Sequence, residues 1–318
     1  AGAQSLTATH TVTSTLTGTQ SGIVVNPGAT TSFVVAAYPS PTTAGAAHNF
    51  TVTAKDASGN VATGYAGSVH FTSSDGAAVL PADASLTNGT GTFSATLKTA
   101  GTQSLTATDA VNNAIAGTQG GIVVNAAAAT SLTLAGYPSP ITAGTSNSFN
   151  VTVKDAFGNV ASGYTGSVHF TGSDAQATLP ADYTFTAGDN GVHTFNTTLK
   201  TAGTQSLTAT DTVNATLTST QSGIVVDAAA ASRLIVDGYP SPARKGMSNP
   251  FTVTAQDAFG NTATSYAGTV HFTSSDALAT LPADYAFVAG DNGTHGFNAT
   301  FGTAGAQSLT ATDTATSS

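Results

Sequence analysis

The chain has 318 residues, a formal net charge of −9, 40% hydrophobic and only 7% charged residues, and neither cysteine nor tryptophan. Ordinary hydrophobicity with so few charges argues against disorder, which pairs low hydrophobicity with high net charge. Seven Lys and Arg without a basic run argue against a nucleic-acid surface, and the lack of Cys removes disulfides, thiolate metal sites and cysteine nucleophiles.

No apolar run approaches the roughly 20 residues that span a bilayer. Every acidic residue is Asp, which suits turns and caps, whereas Glu suits helices. The chain opens in the middle of a motif: Ala1-Gly2-Ala3-Gln4-Ser5-Leu6 matches Ala304 to Leu309. Residues 1–27, which include Gly22-Ile23-Val24-Val25, read as the closing strands of a preceding repeat. With no initiating Met and no signal-peptide pattern, the chain is expected to be a processed or excised piece.

Repetition organises everything after that. Tyr38-Pro39-Ser40-Pro41 recurs at Tyr137 to Pro140 and at Tyr239 to Pro242; Val69-His70-Phe71 recurs at Val168 to Phe170 and Val270 to Phe272. Asp56-Ala57-Ser58-Gly59-Asn60 recurs as Asp155-Ala156-Phe157-Gly158-Asn159 and Asp257-Ala258-Phe259-Gly260-Asn261. Each motif keeps the same offsets, 99 and then 102 residues, so whole domains are duplicated. The expected units are 28–125, 126–226 and 227–318, the last lacking its final strand.

Within a unit, short alternating segments are separated by turn residues. Phe149, Val151 and Val153 share one face of a strand; Val168 and Phe170 point inward with His169 outward; Gly223-Ile224-Val225-Val226 closes the unit. Period-two alternation with one apolar face marks antiparallel strands over a core. About seven strands in about 100 residues read as a sandwich. The connectors Asn125 to Ala129 and Asp227 to Ala231 are too short for independent helices. The expected fold is all-β: tandem immunoglobulin-like antiparallel β-sandwich domains in an elongated rod.

Val151 to Asn159, Val168-His169-Phe170, Gly191 to Phe195 and Ala202-Gly203 to Leu207-Thr208-Ala209-Thr210 follow one another in a characteristic order. In this the chain resembles bacterial immunoglobulin-like repeats of the invasin and intimin type. The resemblance covers nearly the whole chain and implies stacked sandwiches that hold something away from a cell surface. It implies no ligand, since binding in such arrays usually sits in a special tip domain.

Candidate chemistry is sparse. The Asp-x-x-Gly-Asn loops, with Asp189-Asn190-Gly191 and Asp291-Asn292-Gly293, offer oxygens for calcium, but a calcium site wants six to eight of them. They read first as hairpin turns, so no cofactor and no metal is expected. His70, His169, His271, His193 and His295 read as surface strand residues. No Gly-x-Ser-x-Gly elbow supports a hydrolase, and no catalytic residue is assigned: the chain is not expected to be an enzyme. Lys55 and Lys154 correspond to Gln256, and Lys98 and Lys200 to Gly302, which argues against isopeptide cross-links. Threonine-rich faces read as solvated strand surfaces. Sequons at Asn49, Asn88, Asn150, Asn196, Asn214, Asn292 and Asn298 are candidate glycosylation sites, where glycans would keep a low-charge surface soluble.

Two accounts of the ends stay open. The chain reads as a window of a longer array, or as a subunit whose strand around Gly22, Ile23, Val24 and Val25 completes the last repeat of a neighbour. The expected function is structural: a repeat segment of an extracellular or cell-surface stalk, or a self-assembling filament. The alternative is an adhesin segment that itself binds a glycan or protein receptor. Expected partners are copies of itself, or adjacent repeats, and glycans.

Overall fold

A computed structural model describes residues 1–315. They form 24 strands and two short 3-10 turns. The antiparallel strands arise from the alternation seen in the sequence: Ser146–Asp155 has Phe149, Val151 and Val153 buried while Asn150 is exposed.

Packing divides the chain into two compact units, one of Ala1–Thr130 with Lys154–Gly163 and one of Ser131–Val153 with the residues from Tyr164 onward. In the first, a three-stranded sheet (Thr30–Ala36, Ala47–Asp56, Thr90–Thr96) faces a five-stranded one. The larger sheet runs Thr42–Thr43, Ala116–Asn125, Gly101–Asp109, Ser68–Ser73, Ala84–Ser85. Between them lies a core that includes Phe50, Phe71, Leu97, Leu105 and Ile122. Fully burying each such side chain contributes about 1.5–3 kcal/mol. A separate two-stranded sheet, Gly2–Thr9 with Thr17–Val25, precedes this sandwich and is exposed along almost its whole length.

The second sandwich repeats the plan. Ala129–Ala135, Ser146–Asp155 and Val192–Thr198 form the small sheet; Ile141–Thr142, Thr218–Asp227, Gly203–Asp211, Ser167–Gly172 and Tyr183–Thr184 form the large one. The rings of Phe149, Phe170 and Phe195 pack at centroid separations of 4.6–5.8 Å. Tyr164 donates its hydroxyl proton to the Asp211 carboxylate, as Tyr65 does to Asp109 at 2.5 Å and Tyr266 to Asp313 at 2.5 Å. Asp211 then accepts from the N–H groups of Val213 and Asn214, which closes the turn leading to the final strand.

The third sandwich has the small sheet Arg233–Asp237, Ser248–Gln256, Thr294–Thr300. Its other sheet has three strands among the described residues, Tyr285–Ala286, Thr269–Ser274 and Leu309–Asp313. No helix of the described residues is long and apolar enough to cross a membrane.

Candidate functional site

The Asp-x-x-Gly-Asn loop turns a hairpin and also builds a joint. Asp155 Oδ1 accepts from the N–H groups of Phe157 and Asn159, both at 2.9 Å. Its Oδ2 accepts from Asn159 Nδ2 at 2.8 Å and from the N–H of Ala127, in the connector, at 2.9 Å. Four N–H donors thus converge on one carboxylate, an arrangement that fixes a turn and leaves its oxygens already engaged. Burial on its own would raise the Asp155 pKa; the Asn159 side chain and the N–H groups of Ala127, Phe157 and Asn159 outweigh it and hold the group below the usual carboxylate range.

Asn159 faces both ways. While Nδ2 serves Asp155, it also donates to the Lys98 carbonyl of the preceding sandwich at 2.7 Å, and Oδ1 accepts from the Ala100 N–H at 2.9 Å. The receiving turn is itself held rigid: Asp75 accepts from the N–H groups of Lys98 and Thr99 and from the Thr99 hydroxyl. Beside these bonds the Phe157 ring lies over Gly45, where a β-carbon would overlap it.

The same construction recurs at the next junction. Asp257 takes the N–H groups of Phe259, Asn261 and Ala229, and Asn261 Nδ2 at 2.8 Å. Asn261 brackets Lys200 O at 2.7 Å and Ala202 N at 2.8 Å, and Phe259 covers Gly144. In the first sandwich, Asp56 engages Gly28, Ser58 and Asn60. Ser58 stands there where the later loops have Phe.

The sequence showed the turn chemistry of these loops but not the joint. The available signal was Phe157, an aromatic in a hairpin turn that is 42% exposed and has no place in its own sandwich core.

The histidines divide into two kinds. His70, His169 and His271 are exposed and pair with Asp83, Asp182 and Asp284 at 2.6–2.7 Å. His193 and His295 are not simple surface residues. Each is half-buried, stacked on Tyr183 or Tyr285 at 4.0 and 4.1 Å, and bonded to Asp189 or Asp291 at 2.7 Å. The expectation of a plain surface position is corrected here: the 3-10 turns Ala187–Asp189 and Ala289–Asp291 fold each carboxylate back onto the ring.

All seven sequon asparagines, Asn49, Asn88, Asn150, Asn196, Asn214, Asn292 and Asn298, are exposed. Gly22, Ile23, Val24 and Val25 lie on the exposed two-stranded sheet, with Val24 73% and Val25 45% accessible.

No family model and no curated protein matches the sequence. Among solved structures, the chain is similar to FdeC, an adhesin of Escherichia coli, at 20% identity and a TM-score of 0.47, over 91% of this chain and 95% of that one. It is also similar to invasin, a bacterial integrin-binding protein, at 18% identity and a TM-score of 0.36, over 89% of this chain and 56% of that one. The D00–D0 domain of intimin matches at 14% identity and a TM-score of 0.33, over 61% of this chain and all of that one. These are structures of the kind that the sequence motifs resemble.

Proposed function

We propose that the chain is a structural spacer of the cell surface or extracellular space, in which each sandwich is fixed to the one before it. The observation that carries this reading is the duplicated joint. Asn159 and Asn261 make the same pair of bonds to the preceding repeat, beside the same ring-on-glycine contact. A connector alone would let neighbouring domains swing, because inter-domain motion is the default where few contacts cross. Two hydrogen bonds that desolvate backbone groups, a carboxylate that gathers the connector, and a packed ring remove that freedom at little cost in sequence. Such a chain does its work by distance and stiffness, without chemistry.

Spin labels across one junction test this. The absence of native cysteine lets Val213→Cys and Val288→Cys, both exposed positions, be labelled alone. A narrow inter-label distance distribution that broadens in Asn261→Ala supports the joint. A broad distribution in the unmodified junction overturns it. A glycan or receptor bound by the chain with the affinity of a whole cell would instead favour the adhesin reading.

A further inference from the structure

Three sequons that lie at different places in the sequence meet at one place in the fold. By the repeat offsets Asn49 aligns with Ser148 and Pro250, whereas Asn196 and Asn298 align with each other and with Ser94. Strand register removes the difference. Asn49 stands opposite Ser94, Asn196 opposite Ser148, and Asn298 opposite Pro250. One cross-strand pair on the three-stranded sheet of each sandwich therefore carries one sequon asparagine, on one strand in the first repeat and on the neighbouring strand in the other two. Each pair borders the facing phenylalanines of its sheet, Phe50 with Phe93, Phe149 with Phe195 and Phe251 with Phe297. Successive strand residues point to opposite faces, so rings turned toward the core put the asparagines on the outer face, and all three are exposed.

The surroundings leave room. The next pair along that face is Thr51 with Thr92, Asn150 with Thr194 or Thr252 with Gly296, so neither row holds a charged side chain. Beside Asn298 these small residues leave a shallow hollow of about 420 Å³ between Pro250, Thr252 and Gly296. The other sequons are built differently. Asn150 Oδ1 accepts from the Thr194 hydroxyl at 2.7 Å, and Asn214 Oδ1 from the N–H and hydroxyl of Thr216 at 3.2 and 2.7 Å. Asn292 Nδ2 donates to the Gly290 carbonyl at 3.3 Å, and Asn88, at φ +52°, occupies a tight turn closed by Thr87 and Thr90. The side-chain amides of Asn49, Asn196 and Asn298 make no hydrogen bond among the described residues. Each has its sequon hydroxyl, on Thr51, Thr198 or Thr300, two places along the same strand face.

We propose that Asn49, Asn196 and Asn298 are the glycosylated asparagines of this chain, one sugar per repeat on the outer face of the three-stranded sheet. The donor is a glycosyl pyrophosphate. The bond from Nδ2 to the sugar C1 forms as the C1–O bond to phosphate breaks. The pyrophosphate leaves with that bonding pair and one Nδ2 proton is released, so nothing is oxidised or reduced. Substituting an amide that has no partner removes no hydrogen bond from the fold, and a sugar on an outward position leaves the core as it is. Its hydroxyls supply the hydration that 7% charged residues do not. The proposal stands apart from the inter-repeat joint, which uses none of these residues.

Peptide mapping by mass spectrometry, on the full chain recovered from the cells that make it, tests this. Occupancy at each of Asn49, Asn196 and Asn298 is expected to exceed that at Asn88, Asn150, Asn214 and Asn292. Any other ranking, bare peptides at the three included, overturns the assignment. The triple variant N49Q/N196Q/N298Q, altered at exposed positions, is expected to keep the circular dichroism of the parent chain and to lose most of the sugar mass. Thr198→Ala keeps Asn196 but removes its sequon hydroxyl, and is expected to strip the sugar from Asn196 while Asn49 and Asn298 stay occupied. Sugar retained on Asn196 in that variant overturns the sequon as the acceptor.

Discussion

The ring of Phe157 covers the α-carbon of Gly45, which holds φ at +82°, so no β-carbon fits between them. Two physical demands meet at this glycine: a left-handed backbone that side chains resist and space for an aromatic from the next repeat. Gly45→Ala is expected to destabilise the junction by about 2 kcal/mol, as strained backbone and displaced ring together suggest. In a Phe157→Ala background the same substitution should cost only about 1 kcal/mol, the backbone part. A double-mutant cycle by urea denaturation measures the difference; identical costs in both backgrounds would show that the ring does not press on the glycine.

Asn261→Ala removes the partner of the Lys200 carbonyl and the Ala202 N–H and takes one donor from Asp257. A loss of about 1–3 kcal/mol is expected for the polar groups left unpaired, with faster proteolysis in the connector from Asp227 to Ala231. Asn261→Asp should be worse at neutral pH, because it turns a donor into a second carboxylate beside Asp257. Equal stability of the two variants at neutral pH would contradict the assigned donor.

Acid should loosen these loops. The Asn60 side chain and the Gly28 N–H hold Asp56 down to about 2. Asp257 is also lowered: burial would raise it, but the Asn261 side chain and the Ala229 and Asn261 N–H groups outweigh that effect. A depressed carboxylate contributes stability that is complete above its unfolded value of 3.8 and disappears as pH falls through the folded one. Thermal midpoints are therefore expected to be level from neutral pH to about 5 and to drop between pH 4 and 2. Asp56→Asn should show a shallower acid slope than the parent chain.

Alkali should act through the tyrosines. Burial first, then the hydrogen bond and charge of Asp211, raise Tyr164 above its ordinary 10.0, and Tyr65 and Tyr266 are raised in the same way by Asp109 and Asp313. A raised pKa contributes stability that is complete below the unfolded value and lost as pH climbs. Stability is expected to fall from about pH 10 upward. Ultraviolet titration should show these tyrosines ionising only as the fold opens; ionisation at an ordinary pH in the intact fold would contradict the buried pairing.

Identical residues in different settings should cost different amounts. Ile122→Ala removes a side chain that is fully buried, and a loss of about 2–5 kcal/mol is expected. Ile23→Ala, in the same motif on the exposed two-stranded sheet, should change the stability of the dilute chain by less than about 0.5 kcal/mol. Denaturation midpoints at low concentration compare them directly.

Much of this protein was determined by sequence alone. The fixed offsets between motifs set the repeat, and the alternation in Phe149-Asn150-Val151-Thr152-Val153 set which side chains face a core, because strand geometry sends successive residues to opposite faces. The Asp-x-x-Gly-Asn turn was equally legible, since its Asp, Gly and Asn act on their own neighbours. What only the tertiary structure decided depends on partners far along the chain. Asn159 meets Ala100 across 59 positions and Lys98 across 61, and it bonds their backbone atoms, which every residue carries and no side chain announces. The stacking of half-buried His193 on Tyr183 likewise follows from how segments are brought together. Alternation and turn chemistry are local forces written residue by residue, whereas a joint exists only once two distant surfaces share one space.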